Sequence, residues 1–365
     1  MKHIILILLC CWHLPLMAQF VHPGLLHSKA DLDNLRLRVQ SGQEPWKTAW
    51  QQLQNSDLAQ LSVKPSVVSH ISNGSYNLPD NGGSEFYDDG NIAYTMALQW
   101  YVTGNKKYAQ KAIEFLNAWS YGLDSVTNHN RQLKVGVAGA KYLNAAEIIK
   151  HTYKGWAQKD QKAFEKMILD VWYPVIVDFV PRYNGNWDAA IGHTMLAMGI
   201  YLDRQDIFDR AYNHLLKGET NGAINWYFSE TGQCQESGRD QHHTQMGMGY
   251  LACACEMAWN QGLDLYGAYE NRLLKGYEYT AKYMNGEEVP YVQYVTFYGG
   301  TVFGTSISSG NRSQFLPIFE IAYRHYHGRK GLDMPFTWKS ITKTRNETVS
   351  AGFMPWGTLV FAGGQ

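Results

Sequence analysis

The sequence predicts a mainly all-α fold, an incomplete (α/α) toroid of helical hairpins with a little β-structure near the C-terminus. Three observations lead there. Apolar residues recur at helical spacing through most of residues 92–284, as at Tyr108, Ala112, Phe115 and Trp119. Short turns containing Gly and Asn, such as Gly104-Asn105, divide these stretches into pairs that fold back on each other. Strand-like alternation is confined to residues 291–298, just ahead of Gly299-Gly300. No fixed period repeats, so a solenoid is not supported, and an open array of hairpins is the competing geometry.

Residues 1–18 read as a signal peptide. Lys2 and His3 precede an apolar run over 4–9, and Leu16-Met17-Ala18 offers a small residue at a cleavage point before Gln19. That run is too short to span a membrane, and no later segment is long enough. Residues 19–365 then form a single domain. Ser28 caps a helix over 31–39 that ends at Gly42, and Pro45 opens a second over 46–53. Residues 62–91 carry Pro, Ser, Asn, Gly and Asp in abundance and read as a long loop. Its aromatic residues Tyr76, Phe86 and Tyr87 make it a lid or rim. Helices follow at 92–102, 108–119, 136–152, 158–181, 187–203, 205–217, 239–258 and 264–284. The strand at 291–298 and a last helix at 313–326 complete the chain.

The chain has 365 residues, with 32 Lys and Arg against 32 Asp and Glu. Loss of the signal removes Lys2 and no acid, leaving a net charge of −1. A near-neutral surface argues against nucleic acid or a polybasic membrane patch, so an anionic ligand must meet a few placed cations. Cys234, Cys253 and Cys255 are odd in number and match no zinc spacing; they read as small buried residues.

Chemistry concentrates in residues 236–250. Ser237 followed by Asp240 reads as a capping box, so a helix starts here. Arg239 and His243 then lie four apart on one face, with His242 to the side, Gln241 between them and Glu236 just before the cap. A guanidinium, two imidazoles and two carboxylates crowd a helix start, where backbone N–H groups favour an anion. Glu236 or Asp240 can orient the histidine or pair with Arg239. Adjacent histidines point about 100° apart on a helix, so no metal is assigned to them.

A second helix opens at Gly185-Asn186-Trp187-Asp188. Asn186 or Asp188 is its cap, or Asn186 faces a cleft as donor to a carboxylate with Trp187 as a flat face for a sugar ring. His193 reads as a core histidine. Tyr298 ends the aromatic strand before two glycines, where the backbone turns sharply. Arg312 is a loop cation, either solvated or in contact with substrate. Phosphate-binding glycine motifs and zinc-protease motifs are missing from the sequence.

Together, the helical N-terminal half, the Asn186-Trp187 segment, the Arg239–His243 pair and Tyr298 beside glycines resemble the alginate-lyase superfamily of polysaccharide lyases. The layout covers most of the mature chain, and three short segments carry the specific residues. The nearest likeness is to secreted single-domain bacterial enzymes. The resemblance implies an (α/α) toroid, a secreted or periplasmic monomer, and β-elimination of polyuronates with no metal or other cofactor. Its partner would be an anionic polysaccharide, alginate first. By position it implies that Asn186 binds the substrate carboxylate with Arg239 assisting. His243 would be base or neutraliser, and Tyr298 acid, in some substrates also base. Trp187, His242, Glu236, Gln241 and Arg312 are the substrate-binding candidates beside them. One departure stands out: several relatives place histidine after their asparagines, where this chain has Trp187.

Those residue types suit the reaction. Removing the proton at C5 of a uronate loads charge onto an adjacent carboxylate, and each well-aimed hydrogen-bond donor contributes about 3 kcal/mol to that state. A base takes the proton and an acid protonates the leaving O4. A tyrosine base needs cationic neighbours, since a free phenol ionises near about 10. Two rivals remain from the residues alone. A toroidal glycoside hydrolase would pair Glu236 or Asp240 with Asp188 or Asp89. A carbohydrate-binding protein would use the same aromatic cleft without turnover.

Overall fold

Ser28 sets the first helix. In the computed structural model, which describes residues 20–345 and 353–363, its side chain accepts from Asp31 N–H while Asp31 accepts from the Ser28 backbone. The signal peptide assigned to residues 1–18 lies outside the described residues. This reciprocal capping starts α1 (Lys29–Gln40), and α2 (Trp46–Asn55) follows it.

Residues 62–91 are not the long loop expected of them. They hold β1 (His70–Asn73), β2 (Asp80–Asn81) and the opening turns of α3 (Gly83–Thr103). Asp80 makes the difference. Its Oδ1 accepts the Gly83 N–H at 3.0 Å and the Asn73 side chain at 2.8 Å, so α3 starts two turns before the periodic pattern shows. Phe86 therefore enters the core, stacking on Tyr142 with ring centroids 5.0 Å apart, and is no part of a rim. Tyr76 does stand in solvent.

After α4 (Lys106–Gly122), β3 (Ser125–Thr127) completes a small sheet of order β2-β1-β3, antiparallel then parallel. Helix α5 spans Arg131–Thr152. The next run comprises α6 (Gln158–Met167), a π-turn over Ile168–Trp172 and α7 (Tyr173–Ile176). It stops short of residue 181 because the backbone reverses at Phe179, whose φ is 56°. Helices α8 (Gly185–Tyr201) and α9 (Gln205–Lys217), the short α10 (Ile224–Tyr227), α11 (Gln241–Asn260) and α12 (Ala268–Met284) follow.

The predicted strand shrinks to a two-residue pairing of β4 (Tyr294–Val295) with β5 (Thr301–Val302), and Tyr298 lies in the turn between them. Last come α13 (Phe319–Tyr323), running into a π-turn over Arg324–Arg329, then α14 (Pro335–Thr344) and α15 (Gly357–Phe361). Residues 313–318 are not helical because their backbone is committed to α11. Gln245 accepts Leu316 N–H at 2.8 Å and donates to Gln314 O at 2.8 Å.

Helices α3, α5, α8, α11 and α13 contact one another in succession as an inner layer. Their faces are buried nearly all round, whereas α4, α6 and α9 lie outside them with one wet face. Contacts of α13 with α15, and of α15 and α3 with α1, close the ring, so the terminal helices occupy the place of a further hairpin. This is the incomplete (α/α) toroid. The three cysteines are buried and free, and burial pushes the Cys234 thiol up to about 12. Among the described residues no helix is long and apolar enough to cross a membrane.

Candidate active site

Glu236 is the junction of the site. It is fully buried, and each carboxylate oxygen takes two hydrogen bonds. Oε1 accepts from Asn186 Nδ2 at 2.8 Å and from Arg239 Nη1 at 2.9 Å. Oε2 accepts from Asn186 N–H at 3.2 Å and from the Tyr227 hydroxyl at 3.1 Å. Burial raises its carboxyl above the ordinary range, and the charges of Arg239 and His243 oppose that. Four donors aimed at one group favour the ionised form, which accepts only.

Those bonds also settle how α8 begins. Neither Asn186 nor Asp188 caps it. Its first N–H groups are taken from 50 residues away, Gly185 N–H by Gln235 Oε1 at 2.8 Å and Asn186 N–H by Glu236. A carboxylate at a helix start is electrostatically favoured, which offsets part of the cost of burying Glu236. Asp188 faces away, accepting from Val180 N–H at 2.7 Å, His214 at 2.9 Å and the Thr220 hydroxyl.

The second helix start shifts as well. Asp240, not Ser237, is the cap of α11, its Oδ1 accepting His243 N–H at 2.8 Å. Ser237 is held elsewhere, its carbonyl accepting Ser308 N–H at 2.9 Å. Arg239 thus precedes the helix and does not lie one turn below His243, yet it points back onto Glu236. The other Asp240 oxygen lies 2.7 Å from His243 Nδ1. Burial works to raise the Asp240 carboxyl, but hydrogen bonds from the His243 ring and backbone, with the Arg239 charge, bring it down to about 2. An ionised Asp240 can only accept, so His243 Nδ1 is the donor in this bond and Nε2 is the ring nitrogen left for other partners. His243 is half-buried and His242 packs edge-on to it. Burial, then the charges of His243 and Arg239, lower the His242 pKa and keep that ring neutral.

The depressed Asp240 carboxyl carries a pH prediction. Its stabilisation is present above the unfolded value near about 4 and is lost as pH falls through about 2. Asp240→Asn is expected to cost about 2 kcal/mol at neutral pH, and the gap to the parent should narrow between pH ~4 and ~2. Urea unfolding across that range measures it. A gap that stays constant down to the lower end would refute the assignment.

Tyr298 reaches the same region on the β4–β5 hairpin. Gly299, at φ 85°, turns its tip, and Thr296 closes the turn through Gly299 N–H at 2.8 Å and Gly300 O at 2.7 Å. The tip docks beside α8, with Phe297 N–H donating to Asn221 at 3.0 Å and the Arg182 guanidinium 4.9 Å from the Tyr298 ring centre. The base docks beside α11. There Gly238 lies so close that an added Cβ would meet the Tyr291 hydroxyl at 2.2 Å. Gln241 N–H donates to Gly310 O at 2.8 Å just beyond the hairpin. One hairpin therefore ties the Asn186 helix start to the His243 helix start.

Trp187 is half-buried and meets Tyr183 and His129 edge-on, at 4.8 Å and 5.7 Å between ring centres. These rings form an aromatic rim suited to a sugar face. His193 is buried against Tyr250, and burial lowers its pKa to about 4, so it stays neutral in the core.

Three substrate-binding candidates have structural places instead. Glu236 is sealed under Asn186 and Arg239. Gln241 is buried and donates to the carbonyls of Ser237 and Ser308. Arg312 lies over the Tyr283 ring and bonds to Tyr283 O, Glu287 O and Glu288, so it is no spare cation. The carboxylate pair required by a hydrolase is closed off too. Asp188 is spent as described, and Asp89 is buried on Ser66 N–H and Trp119.

Sequence reasoning missed Arg182, Tyr183, Tyr227 and His129. Arg182 and Tyr183 had a signal, since they immediately precede Asn184-Gly185-Asn186. His129 had none, being joined to Trp187 only by the fold.

Comparison with known proteins gives the family and the fold. A family model described as Alginate lyase matches residues 50–289. No curated protein matches the sequence. Among solved structures, an alginate lyase from Bacteroides ovatus is similar at 14% identity and TM-score 0.64, over 94% of this chain and 100% of that one. Alginate lyase A1-III from Sphingomonas species A1 is similar at 15% identity and TM-score 0.60, over 91% of this chain and 95% of that one. A variant of A1-III complexed with a tetrasaccharide is similar at 17% identity and TM-score 0.53, over 67% and 74% of the two chains.

Proposed function

We propose, from the premise that this chain belongs to the alginate lyase family and is a polysaccharide lyase, that it cleaves polyuronate, alginate first, by β-elimination using its own side chains. One observation carries the reading. Asn186, Glu236, Arg239, Asp240 and His243 form a continuous chain of polar contacts, and the hairpin bearing Tyr298 is anchored at both its ends.

Each group has a task that its contacts support. Asn186 Nδ2 has a second N–H that Glu236 does not use, available to a substrate carboxylate. Its Oδ1 is buried without a hydrogen-bond partner. Arg239, pinned by Glu236, supplies positive charge where the carboxylate gains electron density. His243, with Nδ1 held by Asp240, presents Nε2 to the C5 proton as a general base. Tyr298 protonates the leaving O4, its ring steadied by Arg182. Trp187 and its aromatic neighbours take a sugar face. With proton and leaving group handled by different residues, the arrangement suits elimination across opposite faces.

The expected result is a new double bond. Incubated with a panel of uronans, the protein should raise the ultraviolet absorbance of an unsaturated uronate together with reducing ends, fastest on alginate. Reducing ends alone would mean hydrolysis, and neither signal on any uronan would leave only binding. The alginate preference, action outside the cytoplasm and a monomeric state belong to the same proposal.

A further inference from the structure

A second cluster lies at the far rim of the ring. Glu147 and His151 are four residues apart near the end of α5 and so share a face. His22, from the segment before α1, reaches across to them. His22 Nδ1 is 2.7 Å from Glu147 Oε1, and His151 Nε2 is 3.5 Å from Glu147 Oε2. The two imidazoles lie parallel, 4.5 Å apart. Asp203, in the turn after α8, holds the other His22 nitrogen at 3.2 Å. Asn186 opens α8 and Asp203 follows its end, 17 residues on, so this cluster is about 25 Å from the catalytic groups.

Glu147 is 1% exposed, and its Oε2 is buried with no hydrogen-bond partner. Oε1, by contrast, takes both His22 and Gly24 N–H. A buried carboxylate oxygen without a donor is costly, and a cation relieves that cost. Among the described residues His22, Glu147 and His151 form the group of three whose ligand atoms all lie within 4.8 Å of one another. Asp203 completes the pattern. A carboxylate on one imidazole nitrogen fixes the tautomer and leaves the other nitrogen to ligate.

We propose that His22, Glu147 and His151 bind a divalent transition-metal ion, zinc first, which staples the N-terminal segment to α5. Two imidazoles and one carboxylate suit zinc, whereas calcium and magnesium favour all-oxygen sets. Tetrahedral zinc with bonds of about 2.0–2.1 Å needs ligand atoms about 3.3 Å apart. Rotation of the His151 ring, a quarter exposed, closes the difference by opening the imidazole stack. The ion is structural and takes no part in elimination.

The test uses the mature chain purified without a histidine tag and freed of metal by chelation. Calorimetric titration with zinc should give one equivalent with Kd about 1 µM or tighter, and Tm should rise by several degrees. His22→Ala and His151→Ala should each weaken binding by at least about 100-fold, and Asp203→Asn by about 10-fold. Turnover of the metal-free protein well below its Tm should equal that of the zinc-loaded form. Failure to bind one equivalent, or binding unchanged in His151→Ala and Asp203→Asn, would overturn the proposal. Those two carry the decision if His22→Ala does not fold, since both side chains reach solvent. Because the readouts are zinc content and Tm, the result stands apart from the substrate assignment.

Discussion

Tyr298→Phe is expected to lower kcat on polyuronate about 1000-fold, with Tm and oligosaccharide Kd unchanged. The size follows from the task. A positioned acid contributes about 10²- to 10⁴-fold to proton transfer. The absence of a stability effect follows from the contacts. Tyr298 is 46% exposed, and its hydroxyl makes no hydrogen bond among the described residues. Its ring packs edge-on to Phe297 and near Arg182, contacts that phenylalanine keeps. Loss of turnover with folding and binding retained separates an acid from a packing residue. Steady-state kinetics with calorimetric unfolding measure both. Activity within tenfold of the parent would remove Tyr298 from the mechanism.

What the sequence conveyed, and what it withheld, divides along the range of the interactions. Capping by Ser28 and the hairpin pattern of residues 92–284 are local, set by spacings of three and four residues, and the structure has both. The start of α11 was misplaced because Ser237 and Asp240 both have cap chemistry. The choice falls to Asp240 once Ser308, distant in sequence, takes the Ser237 carbonyl. Gly82-Gly83 reads as loop and so places Phe86 on a rim, whereas Asp80 accepts the Gly83 N–H and α3 begins there. The capping of α8 by Gln235 and Glu236 could not be read at all, because it joins positions 50 residues apart. The zinc candidate is hidden for the same reason: His22 and Glu147 meet across 125 residues. Residue types were thus legible at Asn186, Arg239 and His243, and so were Glu236 and Asp240 as partners of the last two, but the bond from Asn186 to Glu236 was not. Glu236 read both as a substrate-binding candidate and as a partner for Arg239 or the histidine, and the fold buries it against Asn186 and Arg239.

That position gives the second large effect. Glu236→Gln keeps the shape and removes the charge, and the amide must set its NH2 group against one pair of donors. Placed at the Oε1 position, it faces both Asn186 Nδ2 and Arg239. Placed at the Oε2 position, it faces Asn186 N–H, and only the Tyr227 hydroxyl can turn to accept. The second orientation is the less costly one, yet Arg239 still loses its counter-charge and α8 loses a cap. Breaking a buried pair of this kind costs roughly 3 kcal/mol of stability. Turnover should fall about 100-fold, because Asn186 and Arg239 lose the contact that orients them towards the uronate carboxylate. A residue that only supported the fold would give a different pattern: a lower urea midpoint, but parent kcat in the fraction still folded at low temperature. Kinetics under those conditions therefore decide the matter. Parent turnover in folded Glu236→Gln would mean that the buried carboxylate stabilises two helix starts and does not aim them.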